Sequence, residues 1–595
     1  MTEIKTLGYY LTKLASAQLD DMARGQFTQL IDLILADLSL GSSCSRLSLL
    51  SNSSGIEPNS IIDLLLTSGL AVVSDFTSVT IPALPLVIIK DNNDCWIYVS
   101  KYLAYEVRLA AKIIRLAKRM PNYPYQVYQQ QLAKLTFFSQ SQRYPNSEQL
   151  AAIIHAANCG LSVISGGPGT GKTTTVTMLL WLFYQLYGEE LVVKICAPTG
   201  KAATRVRDSV AGSCEKLLNI PEFTAGQSAL QKLLSDSDNF STIHKLLGYI
   251  PGNIYFRHTE SNPLAIDVLI VDESSMIGLP LFSKLVAAID EPRIKHIVFL
   301  GDKNQLSSVE EGSVFSALMQ LQFDKMPAEP IDLFSQPQLH KVAAELNISN
   351  RNQPQIAQLA NLILQQDYTS FIRELADTGA VKLVKPQLAL ILQQFLAEAG
   401  ELTAYIRQMQ ERATDDWSYE QLINCFNYQS ILCLTNQGLL GCENLNRLLE
   451  RGIRQQFSFA REWYNGRPVI IQQNDYNLGL FNGDIGICRI KDGKISIKFS
   501  AEREFIPEIL PEYKPAYAIT IHKSQGSEYH NVTIVLGALA NLGEAINLLT
   551  RELFYTALTR ARQQVIIYSD KPALKQCLMT VTKRLSGLPA LFKSL

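Results

Sequence analysis

The chain has 595 residues, 47% of them hydrophobic, and its 54 basic and 55 acidic side chains leave a formal net charge of −1. That length exceeds one core and implies roughly three to five domains, while the balanced charge excludes a basic arm or an acidic tail, so nucleic acid would have to meet a local groove. Ten cysteines scattered from Cys44 to Cys577 form no C-x-x-C pair, and the seven histidines do not join them at metal-ligand spacing, which points to reduced, buried thiols. The N-terminal residues lack an apolar signal core, and the most apolar windows, 61–73 and 178–186, are too short to span a bilayer, so a cytoplasmic protein without a membrane partner is expected.

Residues 1–115 begin with helical periodicity (Tyr9, Leu11, Leu14, then Phe27, Leu30, Ile31, Ile34). They continue into strand-like runs at 86–89 and 96–99 and a helix over 104–120. No catalytic constellation falls here, which fits an α-rich module for packing or partner docking. The segment 116–145, with Pro121, Pro124 and a glutamine-rich continuation, reads as a linker. Asn146 or Ser147 then caps a helix carrying Gln149.

A first α/β domain is expected over 146–335. The apolar run 161–164 leads into Gly166, Gly167, Pro168, Gly169, Thr170, Gly171, Lys172 and Thr173, followed by Thr174 and a helical pattern to Tyr187. This G-x-x-x-x-G-K-[ST] spacing, set between strand and helix, lets backbone N–H groups close around phosphate oxygens. Lys172 then suits the β and γ phosphates of ATP, and the Thr173 hydroxyl suits Mg²⁺. The run 266–271 ends in Asp272, which suits the Mg²⁺ shell, and Glu273, which suits a general base or orienter of water. The next strand, 297–300, leads to Gln305, placed to feel a γ phosphate.

A second α/β unit without a phosphate loop is assembled from 336–465 and 516–595, with strands at 430–434, 532–536 and 565–568 and helices near 346–364 and 548–562. It offers Arg351, Arg560 and Arg562 to a nucleotide held between the two lobes. Between its halves, residues 466–515 form short alternating runs with tight turns at Asn482-Gly483 and Asp492-Gly493, a small β insertion.

These stretches together resemble the superfamily 1 helicases, and their order and wording match the RecD branch, the alpha subunit of the RecBCD exodeoxyribonuclease V. The resemblance rests on 166–175, Ala197-Pro198-Thr199-Gly200-Lys201-Ala202-Ala203, 241–248, 271–277, 301–312, 480–486, 520–528 and 553–562. It implies two RecA-like parallel-sheet motor domains with an SH3-like insertion in the second, and ATP-driven 5′-to-3′ movement along single-stranded DNA beside RecB and RecC, starting from duplex ends. By the same resemblance Gln149 contacts adenine and Glu528 lies near the ribose. Lys172, Thr173, Asp272, Glu273, Gln305, Arg351 and Arg560 form the hydrolytic site, and Thr199, His244, Thr520 and His522 line the DNA path. Around Arg351 the chain lacks the aromatic neighbours that family members tend to carry. Nuclease activity is expected on another subunit, because Glu512-Tyr513-Lys514 lies between Pro511 and Pro515 in a poor strand context. Two rival readings are a free-standing helicase of the same superfamily and an ATP-gated structural subunit that binds DNA without moving it.

Overall fold

The computed structural model describes the chain except residues 1, 16–18, 77–82, 92–93, 141–144, 219, 221–222, 224–226, 251–252, 254, 307, 309, 324–339, 349–352, 413–416 and 476. Two all-parallel sheets form its centre, consistent with RecA-like motor domains. In the first, the strands run in the spatial order Ala343–Leu346, Leu161–Gly166, His296–Gly301, Val268–Val271, Val193–Ala197, Phe240–Thr242. Strands buried on both faces read as continuous apolar runs, and all four residues of Val268–Val271 are buried. The helix Lys172–Tyr187, which follows the phosphate loop, is apolar almost all round and fills one side of this sheet with Trp181 and Phe183. In the second sheet the order is Val381–Val384, Ala561–Ser569, Tyr529–Gly537, Gln429–Cys433, Ala518–Thr520.

Three placements differ from the sequence reading. The strand Ala343–Leu346 lies beyond the expected boundary at 335 and in part within the expected helix from 346, yet it pairs in parallel with Val163–Gly166 of the first sheet. Residues 125–140, read as linker, form a helix whose Tyr128, Leu135 and Phe138 enter the core of the first motor domain. In the N-terminal module the strands expected at 86–89 and 96–99 are present and are joined by two unexpected ones, Ser45–Arg46 and Ala71–Asp75. Its four-stranded sheet, ordered Ser45–Arg46, Asp94–Val99, Leu86–Asp91, Ala71–Asp75, is covered on both faces. Leu86, Ile88, Ile97 and Val99 face the helices carrying Phe27, Leu30 and Ile31, while Val87, Ile89, Trp96 and Tyr98 face the helix Ser100–Ala117. That alternation is the period-two signature of a pleated strand.

The module is fastened to the motor by buried polar contacts. Lys112 Nζ donates to the carbonyls of Ala287 (2.9 Å) and Ile289 (2.8 Å), at the end of the helix Leu279–Ala287. The C-terminal segment returns to the same place: Leu588 and Leu591 join its core, and Ser586 Oγ (2.6 Å) and Gly587 N (3.2 Å) donate to the buried carboxylate of Glu106. Ser43 Oγ (2.5 Å) and Tyr98 OH (2.8 Å) complete that cage, and burial nonetheless raises the Glu106 pKa above the ordinary carboxylate value. Residues 468–515 form a five-stranded antiparallel sheet in the order Glu504–Phe505, Lys494–Lys498, Ile485–Lys491, Pro468–Ile471, Tyr513–Pro515 around Val469, Ile471, Cys488 and Ile497. Among the described residues no helix is long and apolar enough to cross a membrane.

Candidate nucleotide and DNA sites

The two motor domains enclose a cleft of about 480 Å³ at the C-terminal ends of the first sheet's strands, the edge at which parallel sheets present ligands. Gly167, Pro168, Gly169, Gly171, Lys172, Thr173 and Thr174 line it from the phosphate loop, Asp272, Glu273 and Gln305 from the next strand ends, and Glu528 and Arg560 from the second domain. Gly169 (φ 79) and Gly171 (φ 81) take left-handed backbone that a side chain would strain, which is why this loop carries glycine there. Thr170 lies beneath, its hydroxyl donating to Gly167 O at 2.9 Å, and Gly166 ends the strand. Lys172 Nζ donates to Gly166 O.

Asp272 is half-buried, and both desolvation in the cleft and the neighbouring Glu273 raise its pKa, while Lys172 opposes the shift. Glu273 adopts left-handed backbone at φ 49, ψ 38. A non-glycine residue in that region costs of order 1–3 kcal/mol and persists only where its surroundings fix it, as active sites do. Thr173 and Asp272 supply hard oxygen donors to one cleft, and no group of three or more His, Cys, Asp or Glu side chains among the described residues could hold an ion alone. That donor set fits Mg²⁺, which is commonly held by one or two protein oxygens together with substrate phosphates.

Across the cleft, Arg560 Nη2 donates to Gln305 Oε1, while Gln305 Nε2 donates to Asp302 Oδ2 at 3.0 Å. Arg560 is fixed from behind by Thr556 O and Ser527 O, both at 3.1 Å. Its own domain thus aims the guanidinium, and burial lowers its pKa. Leu306 N also donates to Thr556 Oγ1 at 3.0 Å, so the loop carrying Gln305 is bonded directly to the helix Arg551–Leu558, whose C-terminal turn leads into Arg560.

Gln149 sits behind the phosphate loop rather than on the cleft lining. Its Nε2 donates to Thr170 O at 3.0 Å, and its Oε1 accepts from Asn146 N at 3.1 Å in a capping box. Arg351 lies outside the described residues. Thr199 and His244 follow the strands Val193–Ala197 and Phe240–Thr242, at the far side of the sheet from the phosphate loop. Thr199 Oγ1 caps the helix Gly200–Leu218 by accepting from Ala202 N at 3.2 Å, and His244 packs edge-on against Phe256. Thr520 ends the strand Ala518–Thr520, its hydroxyl accepting from Lys523 N at 3.3 Å, and burial lowers the pKa of His522.

Residues 149–311 match a family model described as an AAA domain, and residues 515–568 match one described as a UvrD-like helicase C-terminal domain. Over 494 residues the chain is 32% identical to the RecBCD enzyme subunit RecD of Haemophilus influenzae, covering 75% of this chain and 72% of that protein. The chain belongs to the RecD family. It is also 31% identical to the RecBCD enzyme subunit RecD of Mycolicibacterium smegmatis, with 74% of each chain covered. The ATP-dependent RecD2 DNA helicase of Deinococcus radiodurans is 29% identical, over 70% of this chain and 48% of that one.

Several contacts bearing on the site of this RecD family member escape sequence reading. Arg205, on the helix Gly200–Leu218, crosses the cleft to donate to Gly526 O and Glu528 Oε1. Arg562 Nη2 donates to the other oxygen of Glu528 at 2.9 Å, so that carboxylate is clamped from both domains. Phe481 of the β insertion lies so close to Gly200 that a Cβ there would meet its ring at 2.6 Å. Asp484 of the same turn faces Lys201, whose pKa burial pushes down to about 8. Arg584 gathers carbonyls of the loop after Gln305, donating to Glu310 O at 3.0 Å and Gly312 O at 3.3 Å. Only the assembled fold brings these partners together.

Proposed function

We propose that the chain is the ATP-dependent DNA helicase subunit of a RecBCD-type enzyme in the cytoplasm, moving 5′ to 3′ along single-stranded DNA from duplex ends beside RecB and RecC. The observation that carries this reading is the composite cleft, with phosphate loop, Asp272, Glu273 and Gln305 on one motor domain and Arg560 held against Gln305 from the other. Lys172 and the loop N–H groups bind the β and γ phosphates, Glu273 orients and deprotonates the attacking water, and Arg560 stabilises charge on the transferred phosphoryl group. Mg²⁺, held by Thr173 and Asp272, neutralises phosphate charge when bound. Glu528 serves the ribose, Gln149 the adenine and Arg351 a second arginine role.

Loss of the γ phosphate releases its tie to Gln305 and Arg560, and the two domains shift relative to each other. Thr199 and His244 on one domain, with Thr520 and His522 on the other, follow that shift along the DNA backbone. Hydroxyl and imidazole groups suit this task, because backbone tracking needs little sequence readout. The N-terminal module is assigned to partner docking, and the β insertion, read as SH3-like, forms a wall of the DNA channel.

The test is ATP hydrolysis by the purified chain with and without single-stranded DNA, repeated with RecB and RecC, then strand displacement on 5′-tailed and 3′-tailed duplexes. DNA-stimulated hydrolysis with preference for the 5′ tail is expected. Hydrolysis indifferent to DNA in every combination overturns the motor reading and leaves an ATP-gated structural subunit, whereas full unwinding by the chain alone favours a free-standing helicase.

A further inference from the structure

A second cavity, of about 620 Å³, opens in the second motor domain, and its lining shares no residue with the nucleotide cleft. It lies between the sheet and the helices Leu388–Leu396, Glu401–Glu411 and Tyr419–Phe426. Aromatic side chains supply much of its wall: Phe395, Tyr405, Phe426, Tyr428 and Tyr517. The hydroxyls of Tyr405 and Tyr517 are engaged elsewhere, Tyr405 OH donating to Gly466 O at 2.9 Å and Tyr517 OH pairing with Tyr464 OH, which leaves these two rings to the cavity.

Glu401, Gln408, Asn424 and Gln429 are the polar side chains of this lining, and two of them have one buried oxygen each without a partner among the described residues: Oε2 of Glu401 and Oε1 of Gln429. Their other ends are fixed in one hydrogen-bonded cluster. Gln394 Nε2 donates to Glu401 Oε1 and to Thr533 Oγ1, both at 3.2 Å, and Gln429 Nε2 donates to the same Thr533 Oγ1 at 3.2 Å. A buried acceptor left unmade carries a desolvation cost, so native structures retain few of them without a reason. Among the described residues no lysine or arginine lines the cavity, which leaves the Glu401 charge uncompensated there and makes the site repel anions such as phosphate.

We propose that this cavity binds a planar cation of the amidinium or guanidinium class. Two neighbouring N–H donors on one edge of such a group answer the two acceptors, its charge answers Glu401, and its weakly hydrated flat face suits an aromatic wall. The cation is either a small molecule or the arginine of a polypeptide, since both present the same edge. A water molecule would satisfy the oxygens but leave the charge of Glu401 unmatched.

The experiment is calorimetric titration of the full chain with benzamidine, methylguanidine and N-acetyl-arginine methylamide, with benzoate as the anion of matching shape. Saturable binding of the cations and none of benzoate is expected. Glu401→Gln should weaken benzamidine binding about tenfold or more, as loss of a buried charge-assisted bond does. Ala404→Trp, at an exposed residue of the cavity lining, should block it without touching the Glu401 cluster. ATP hydrolysis should be unchanged in both variants, marking them as folded. Tighter binding of the blocked arginine than of methylguanidine assigns the site to a polypeptide, and the reverse assigns it to a small cation. No saturable binding to the parent chain, equal binding of benzoate, or benzamidine affinity unchanged in the two variants overturns the proposal.

Discussion

Replacing Arg205 by alanine removes both bonds that this side chain makes across the cleft, to Gly526 O and Glu528 Oε1. A hydrogen bond to a charged group contributes about 1.5–3 kcal/mol net. The Arg205 side chain is 34% exposed against 10% for Glu528, so solvent screening reduces the pair to about 1–2 kcal/mol. Arg562 still neutralises Glu528 in the variant, so no lone buried charge is left behind. The loss falls on closure of the cleft, the arrangement in which Arg560 reaches Gln305. It should lower kcat/KM for DNA-stimulated ATP hydrolysis by about 5- to 30-fold. Arg205→Lys, which keeps the charge but not the fork, should recover part of it. Glu528→Gln should be strongly non-additive with Arg205→Ala, because one interaction is removed twice. The melting temperature should not move, since Arg205 belongs to no hydrophobic core. A kcat/KM within twofold of the parent, or additive single and double variants, would refute the reasoning.

Three further outcomes follow from the same geometry. Lys172→Gln should reduce ATP hydrolysis by about 100-fold or more while co-purification with RecB and RecC persists, because Lys172 faces the cleft; loss of assembly would make the loop structural. Arg584→Ala frees the Ser308, Glu310 and Gly312 carbonyls from a guanidinium that bonds all three, so amide exchange in residues 584–594 should accelerate, and unchanged protection there would count against the clasp. Glu106 has a folded pKa raised by burial, so its contribution to stability is fully present below its unfolded value and is lost as pH rises through the folded one. The melting temperature should therefore fall over that interval in the parent chain, and Glu106→Gln, which cannot ionise, should lack that component of the slope.

The placement of strand, loop and helix was legible where it is written in consecutive residues and was not where partners are far apart. The phosphate loop needs only its own glycines and the strand and helix beside it, and Asp272 and Glu273 follow a run of four buried apolar residues. By contrast Ala343–Leu346, Ala-Ala-Glu-Leu, has the composition of a helix, yet the open edge of the strand Leu161–Gly166 takes it as a parallel neighbour, so tertiary pairing overrides propensity. In the helix Tyr125–Gln140 the glutamines disguise a buried stripe of Tyr128, Gln131, Leu135 and Phe138 whose three- and four-residue spacing is helical. Arg205 and Arg207 stand two apart on one helix and so point to different faces, Arg207 exposed and Arg205 on the cleft lining. Composition cannot choose between them. The side that meets Glu528 is fixed by how the first domain packs against the second, across 323 positions of chain. A residue whose role depends on such a contact becomes legible only when both domains are folded and facing each other.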